Sequence, residues 1–357
     1  MDIPTVSVII PLYNAQETIE RCIESVIRQQ LKRIEIIIIN DGSIDSSEYI
    51  LKDYASQDNR IKLMSLEKNM GVSNAREIGI CNAKGDYIAF LDSDDWCEES
   101  MYSTLFDIAS SSYADIVMSD AYCHLEDKCI RIANYTRSDG LYSYIDFYNT
   151  FYLPLYGRLS QDENISGYVW SSIFKRELFD ELLSFKGIML YEDEIMLLQL
   201  LHNSEHIYLC REPLYNYDCT RGGSLSRKDG YHKGYWENAV SVTLAKERIA
   251  QLHNIEENEY KHRLANYLFK SFIAAVGNES KEDNLKSLHE INTYLSVIAT
   301  DKILDEYYNV FTELNSSLIY ADAIINRKDG GLQELYQHFI KRDKYAKKLK
   351  EFSKDVG

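Results

Sequence analysis

Positive charge, paired cysteine and long apolar runs are all scarce in this chain, and each scarcity excludes something. Lys and Arg total 39 against 56 Asp and Glu, a formal charge of −17 over 357 residues. So acidic a surface repels phosphate backbones, which excludes general nucleic-acid binding. An anionic nucleotide held by such a chain needs local neutralisation, which favours a metal cation. The seven cysteines (22, 81, 97, 123, 129, 210 and 219) are odd in number and none has CxxC spacing. That argues against a disulfide framework or a zinc site and fits a reducing cytoplasm. No apolar run approaches the roughly 20 residues needed to cross a bilayer. The opening Met-Asp-Ile-Pro enters a strand without a basic and then apolar leader, so no signal peptide is expected. No Gly-x-Gly-x-x-Gly opens the first helix, which disfavours a dehydrogenase. Residues 231–352 hold neither proline nor a long apolar strand run and read as almost wholly helical.

What is present is an alternation. Apolar strand runs at 6–11, 34–39, 61–65, 85–91 and 114–119 are separated by helical patterns at 15–29, 45–55, 72–82 and 98–110. Such alternation predicts an α/β fold with a doubly wound, mainly parallel sheet, and in such sheets ligands bind outside the carboxyl ends of the strands. Residues 120–165 lose the rhythm and read as hairpins and loops that close over the sheet and touch an acceptor. Order returns at 168–174, in helices near 177–183 and at 192–203, and in strands near 206–210 and 214–217. The predicted organisation is a catalytic domain over 1–230, with a nucleotide-binding part at 1–119 and an acceptor-binding part at 120–230, followed by a helical module over 231–357.

Two acid clusters carry the chemistry. The uncharged run Tyr87-Ile88-Ala89-Phe90-Leu91 passes straight into Asp92-Ser93-Asp94-Asp95. Carboxylates gathered at a strand end repel one another unless a cation sits between them. A hard divalent ion, magnesium or manganese, held by one or two carboxylates and a substrate's phosphate oxygens, answers that need. Asp94 is the candidate direct metal ligand. Asp95 either touches the acceptor or sugar or caps the next helix. The second cluster, Glu192-Asp193-Glu194, opens a helix. Mutual repulsion there raises proton affinity toward that of a working base.

Five motifs stand in order: Pro11-Leu12-Tyr13-Asn14, Asn40-Asp41-Gly42-Ser43, Asn69-Met70-Gly71 leading to Arg76, Asp92-Ser93-Asp94, and Glu192-Asp193. Over about residues 4–226 the set resembles the family 2 glycosyltransferases with the GT-A (Rossmann-like) fold, which are inverting, metal-dependent and use nucleotide-sugar donors. Asn40 stands where that family usually has Asp; the following Asp41 is the position carried over. The resemblance implies that Pro11, Tyr13 and Asn14 line the base and that Asp41 takes the uracil edge or ribose. It places Asn69, Ser93 and Trp170 beside the donor, with the Trp170 indole against a sugar face. Asp92 serves the ribose and a water-mediated metal contact. Arg76 faces the donor phosphates or locks Asp92. Asp193 is the base, with Glu192 its neighbour. Arg221 and Ser224, in a glycine-bearing segment, close on the diphosphate.

The implied activity is transfer of a hexose or N-acetylhexosamine from a UDP-sugar to a hydroxyl of a lipid-linked or protein-linked glycan. The alternative is a catalytically silent nucleotide-sugar-binding partner of an active enzyme. A nucleotidyltransferase would want a Gly-rich basic loop after the first strand, where this chain has Pro-Leu-Tyr-Asn. The expected location is cytoplasmic, with peripheral contact at the inner membrane face. Lys341, Arg342, Lys344, Lys347, Lys348 and Lys350, backed by Leu335, Phe339, Ala346 and Leu349, suit either an anionic lipid surface or a homodimer contact.

Overall fold

The computed structural model describes residues 3–133, 137–160, 163, 167–184, 187–220, 230–281, 284–314, 327 and 331–341. The chain divides into two compact units, Met1–Leu155 with Ser160–Gly222, and Tyr156–Leu159 with Gly223–Gly357.

The first unit alternates β1 (Val6–Leu12), α1 (Ile19–Ile27), β2 (Ile34–Asn40), α2 (Ser47–Gln57), β3 (Ile61–Ser65), α3 (Val72–Asn82) and β4 (Tyr87–Phe90). Then come β5 (Trp96–Cys97), α4 (Met101–Ser112), β6 (Ile116–Leu125), β7 (Lys128–Ile132) and β8 (Gly140–Ser143). Short helices α5 (Tyr144–Phe147) and α6 (Leu153–Tyr156) precede β9 (Ser172–Lys175), α7 (Glu192–Asn203) and β10 (His206–Asp218). Every residue of β1 and β2 is buried. Branched aliphatic side chains dominate both strands, as befits strands with both faces covered. Helix α1 turns Ile19, Cys22, Ile23 and Val26 inward. Helix α3 lies against β1 because Gly79 has no Cβ; one there would sit 2.4 Å from Ile9 Cγ2.

The sheet order is β3-β2-β1-β4-β9-β6-β10-β5, with β7 on β6 and β8 on β10. Strands β3, β2, β1 and β4 run parallel, as do β6 and β10. Strand β9 runs antiparallel to both β4 and β6, so the sheet is mixed. The order reverses between β1 and β4, and in sheets of this kind ligands bind outside the carboxyl ends of the strands at such a reversal.

Several local expectations change. The strand expected at 114–119 extends to Leu125 and folds back as a hairpin with β7. The irregular stretch after it contains helical turns at Tyr144–Tyr156, which bury Phe147, Phe151 and Tyr152. The helix expected near 177–183 is one 3₁₀ turn, Arg176–Phe179. The two strands expected at 206–217 are one, with a register shift at Pro213, which has no N–H for the ladder.

The second unit contains α8 (Tyr235–Leu252), α9 (Glu257–Glu279), α10 (Leu288–Ala299) and α11 (Lys302–Leu314). Trp236 packs edge-on against Phe272 at 5.3 Å, and its Nε1 donates to Asp301 at 2.9 Å. Among the described residues no helix is long and apolar enough to cross a membrane. Of the basic terminal segment only Lys341 is described, and it is exposed.

Candidate active site

The turns that follow β1 and β2 are tied to each other. Asn14, in the left-handed region at φ +51°, accepts from the Ile44 amide at 2.9 Å, and its own N–H donates to Ser43 Oγ at 2.9 Å. Gly42 has φ +69°, and a Cβ there would lie 2.5 Å from the Lys68 carbonyl carbon. The third loop can therefore pass directly over this turn. Asp41 holds it in place: Oδ1 accepts the Met70 amide at 2.7 Å and Oδ2 the Gly71 amide at 2.8 Å. Asp41 is buried and clamps the entry to α3. Asn69 is exposed and accepts from the Gly71 amide at 3.1 Å. Gly71 needs its φ of +91°, since a side chain there would meet nothing within 4 Å. Pro11 is buried within β1, while Tyr13 beyond it is exposed.

At the end of β4, Asp92, Ser93 and Asp94 are partly buried and Asp95 is fully so. Both Asp95 oxygens are occupied, Oδ2 by the Tyr215 hydroxyl at 2.6 Å and Oδ1 by the Asp218 amide at 2.8 Å. Asp95 thus fastens β10 to the acid loop. The Asp94 carboxyl is pushed up to about 6 by burial and then by the Asp92 charge beside it. Arg21 supports this loop from α1. It donates to the Asp94 carbonyl at 2.6 Å and to Asp218 Oδ2 at 2.7 Å, and lies 3.9 Å over the Trp96 ring. For Asp218 burial is outweighed by hydrogen bonds from Thr220 and Arg21, which bring it down to about 2.

Arg76 joins the two acid clusters. It projects from the buried face of α3, and its side chain is 3% exposed. Nη2 donates to Asp92 Oδ1 at 3.0 Å, and Nη1 donates to Glu192 Oε1 at 2.6 Å and to Asp193 Oδ1. Of the two expected roles, locking Asp92 is the one seen, and the same guanidinium also holds Glu192 and Asp193. Burial opposes its charge, but the three carboxylates outweigh that and raise its pKa further. Its Nε is buried with no hydrogen-bond partner among the described residues. Burial raises the Asp193 carboxyl, Arg76 opposes, and Glu192 and Asp92 push it up again; the net direction is upward. The helix bearing it starts at Tyr191, held at φ +69°, and acids in its first turn suit the macrodipole.

One guanidinium therefore faces three carboxylates, with Asp94 adjacent, and the cluster keeps excess negative charge. That excess fits a divalent cation. Among the described residues no three acid, His or Cys side chains converge enough to hold one unaided, so a substrate's phosphates would have to supply the remaining oxygens.

Trp170 is 3% exposed and lies in a stack, 5.0 Å from the Tyr168 ring and 4.3 Å from Tyr215. The indole is thus enclosed by neighbouring rings. Arg221 and Ser224 lie outside the described residues. The sequence reading missed Arg21, Tyr215 and Asp218. Tyr215-Asn216-Tyr217 was a visible aromatic pair, but nothing local marks its link to Asp95.

A doubly wound sheet with two acid clusters meeting at its switch point defines a glycosyltransferase-type α/β domain. The chain belongs to glycosyl transferase family 2, whose model matches residues 7–183. It is 32% identical to glycosyltransferase GlyA of Streptococcus pneumoniae over 72% of this chain and 36% of GlyA, so it spans about a third of that relative. It is 30% identical to the uncharacterized glycosyltransferase YibD of Escherichia coli over 68% of this chain and 70% of YibD. In fold it is similar to residues 1–349 of S. aureus TarS in complex with UDP-GlcNAc. The TM-score is 0.68 at 15% identity, covering 96% of this chain and 92% of that one.

Proposed function

We propose that the chain transfers a hexose or N-acetylhexosamine from a UDP-sugar to a hydroxyl of a surface-glycan acceptor, with inversion. The observation that carries this is the Arg76 guanidinium, which holds Asp92 of the first acid cluster and Asp193 of the second together. The donor-phosphate end and the base are thereby one side chain apart. TarS, of the same fold, binds UDP-GlcNAc, which supports a uridine donor here.

In this reading Asp193 takes the proton of the acceptor hydroxyl as that oxygen attacks the anomeric carbon and the nucleoside diphosphate leaves. Burial and the neighbouring acids raise its proton affinity, as a base requires. Arg76 orients it and balances Asp92 and Glu192. Asp94, with Asp92, would hold a magnesium or manganese ion, which supplies Lewis-acid neutralisation of the departing diphosphate when bound. Tyr13 and the turn at Asn14 border the nucleotide side of the site. The acidic composition and the odd number of cysteines, none in CxxC spacing, support action in the cytoplasm on a lipid-linked or protein-linked acceptor. The catalytic region is assigned to 1–230 and the helical module to 231–357.

The test is a screen of UDP- and GDP-sugars with manganese or magnesium, read as nucleotide release. Release from a UDP-sugar by the wild type, lost in Asp193→Asn, is expected. A protein that consumes no nucleotide sugar contradicts the proposal.

A further inference from the structure

We infer that Tyr168 is an aromatic platform for a pyranose ring of the acceptor. The inference rests on the transferase reading above and adds to it a site for the second substrate. Tyr168 is 43% exposed, and its ring is stacked on Trp170 at 5.0 Å and 22°. Trp170 stacks in turn on Tyr215 at 4.3 Å and 26°. The Tyr215 hydroxyl donates to Asp95 and accepts the Asp92 amide at 3.3 Å. The exposed ring therefore ends an aromatic column whose buried foot grips the loop of the first acid cluster.

The chain just before Tyr168 is fixed to the second cluster. Gly167 packs so closely on Glu194 that a Cβ there would fall 2.3 Å from Glu194 Cγ. Glu194 is the next residue after Asp193, in the first turn of α7. One exposed aromatic is thus anchored to the metal-side loop through its ring and to the base-bearing turn through its backbone. Trp170 cannot serve, being enclosed; Tyr168 is the most exposed member of the stack, ahead of the half-buried Tyr217, whose ring stacks on Trp170 at 6.0 Å.

The chemistry matches a sugar. The C–H face of a pyranose is apolar and packs flat on an aromatic ring, while its hydroxyls stay free to be hydrogen-bonded or deprotonated. A ring immobilised from behind loses little conformational freedom on binding. On the transferase reading the nucleotide sits at the β1 and β2 turns, so a ring beside the base-bearing α7 is assigned to the acceptor.

The test uses the full chain with UDP and manganese present. The probes are methyl glycosides of hexoses and N-acetylhexosamines, read by saturation-transfer NMR and titration. For Tyr168→Ala, glycoside affinity is expected to fall about tenfold, while UDP affinity by calorimetry is unchanged. Tyr168→Phe should restore the glycoside affinity. Three results overturn the inference: Tyr168→Ala binding the glycosides as the wild type does, Tyr168→Ala losing UDP in the same proportion, or a wild type that binds UDP and no glycoside. Nucleotide release by the wild type, assayed separately, tests the transferase reading; its failure leaves the glycoside result to be judged by itself.

Discussion

Replacing Arg76 by Met keeps length and apolar stem and removes the charge that three carboxylates share. The side chains concerned are enclosed, with exposures of 3% for Arg76, 28% for Asp92, 11% for Glu192 and 15% for Asp193. Stripping the partner from a buried ion pair costs about 3–5 kcal/mol, mostly through the charge left behind. The three losses do not add, because one cation serves all three, so about 4 kcal/mol is expected at pH 8. At roughly 2–4 °C per kcal/mol for a unit of this size, Tm falls by about 10 °C. The pH dependence carries a definite sign. Without the guanidinium, the Asp193 carboxyl, already raised by burial, loses the charge that opposes the rise and moves further above its unfolded value of about 4. A group raised in this way costs nothing while it is protonated in both states and destabilises as pH rises through its folded pKa. The penalty should therefore be large at pH 8 and shrink to about 1–2 kcal/mol near pH 4.5. Adding Glu192→Gln to Arg76→Met should recover part of the loss at pH 8. Urea titrations of the three proteins at both pH values measure this. A loss below about 1 kcal/mol at pH 8, or an equal loss at both pH values, would refute the shared-cation argument.

Four further outcomes are expected. Tyr113 ends α4 in the left-handed region at φ +58° with its ring exposed; Tyr113→Gly should raise stability by about 0.5–1 kcal/mol in chemical denaturation, and a decrease would contradict the backbone-strain argument. Gly42→Ala places a methyl against the Lys68 backbone at positive φ and should cost at least about 2 kcal/mol, with a neutral result contradicting it. Asp218 titrates at about 2, so its contribution is present above its unfolded pKa and lost as pH falls through the folded value. Asp218→Asn should therefore destabilise by about 2 kcal/mol at pH 7 and much less at pH 2, measured by thermal melts at both pH values. Chelation with EDTA should weaken UDP binding at least about tenfold by calorimetry, and equal affinity after complete chelation would remove the cation from the account.

Much of the frame was legible because the signals are local. The strand at Ile61–Ser65 and the helix at Val72–Asn82 fall where their local patterns predict, and the acids at Glu192 mark the start of a helix that runs to Asn203. The acid clusters stood out because charge follows apolar sequence without a break. What stayed hidden depends on partners far along the chain. Asp41 is occupied by amides about 30 residues on, and Asp95 by groups 120 and 123 residues away. No local pattern distinguishes such a carboxylate from one facing a ligand. Trp170 looked available because its stacking partner Tyr215 lies on another strand. Strand β9 was invisible as an antiparallel insertion since pairing direction is set by tertiary contacts. Arg76 was half legible: its link to Asp92 is within reach of one helix and strand, whereas its grip on Glu192 and Asp193 spans more than 110 residues.

The central claim is that both acid clusters serve one reaction, with Asp193 accepting the proton. Its most direct test is Asp193→Asn assayed with the donor sugar found in the screen. Calorimetry should show UDP bound with wild-type affinity while turnover falls by about 10²–10⁴-fold. Sugar transfer by the Asp193→Asn variant at the wild-type rate would contradict the claim.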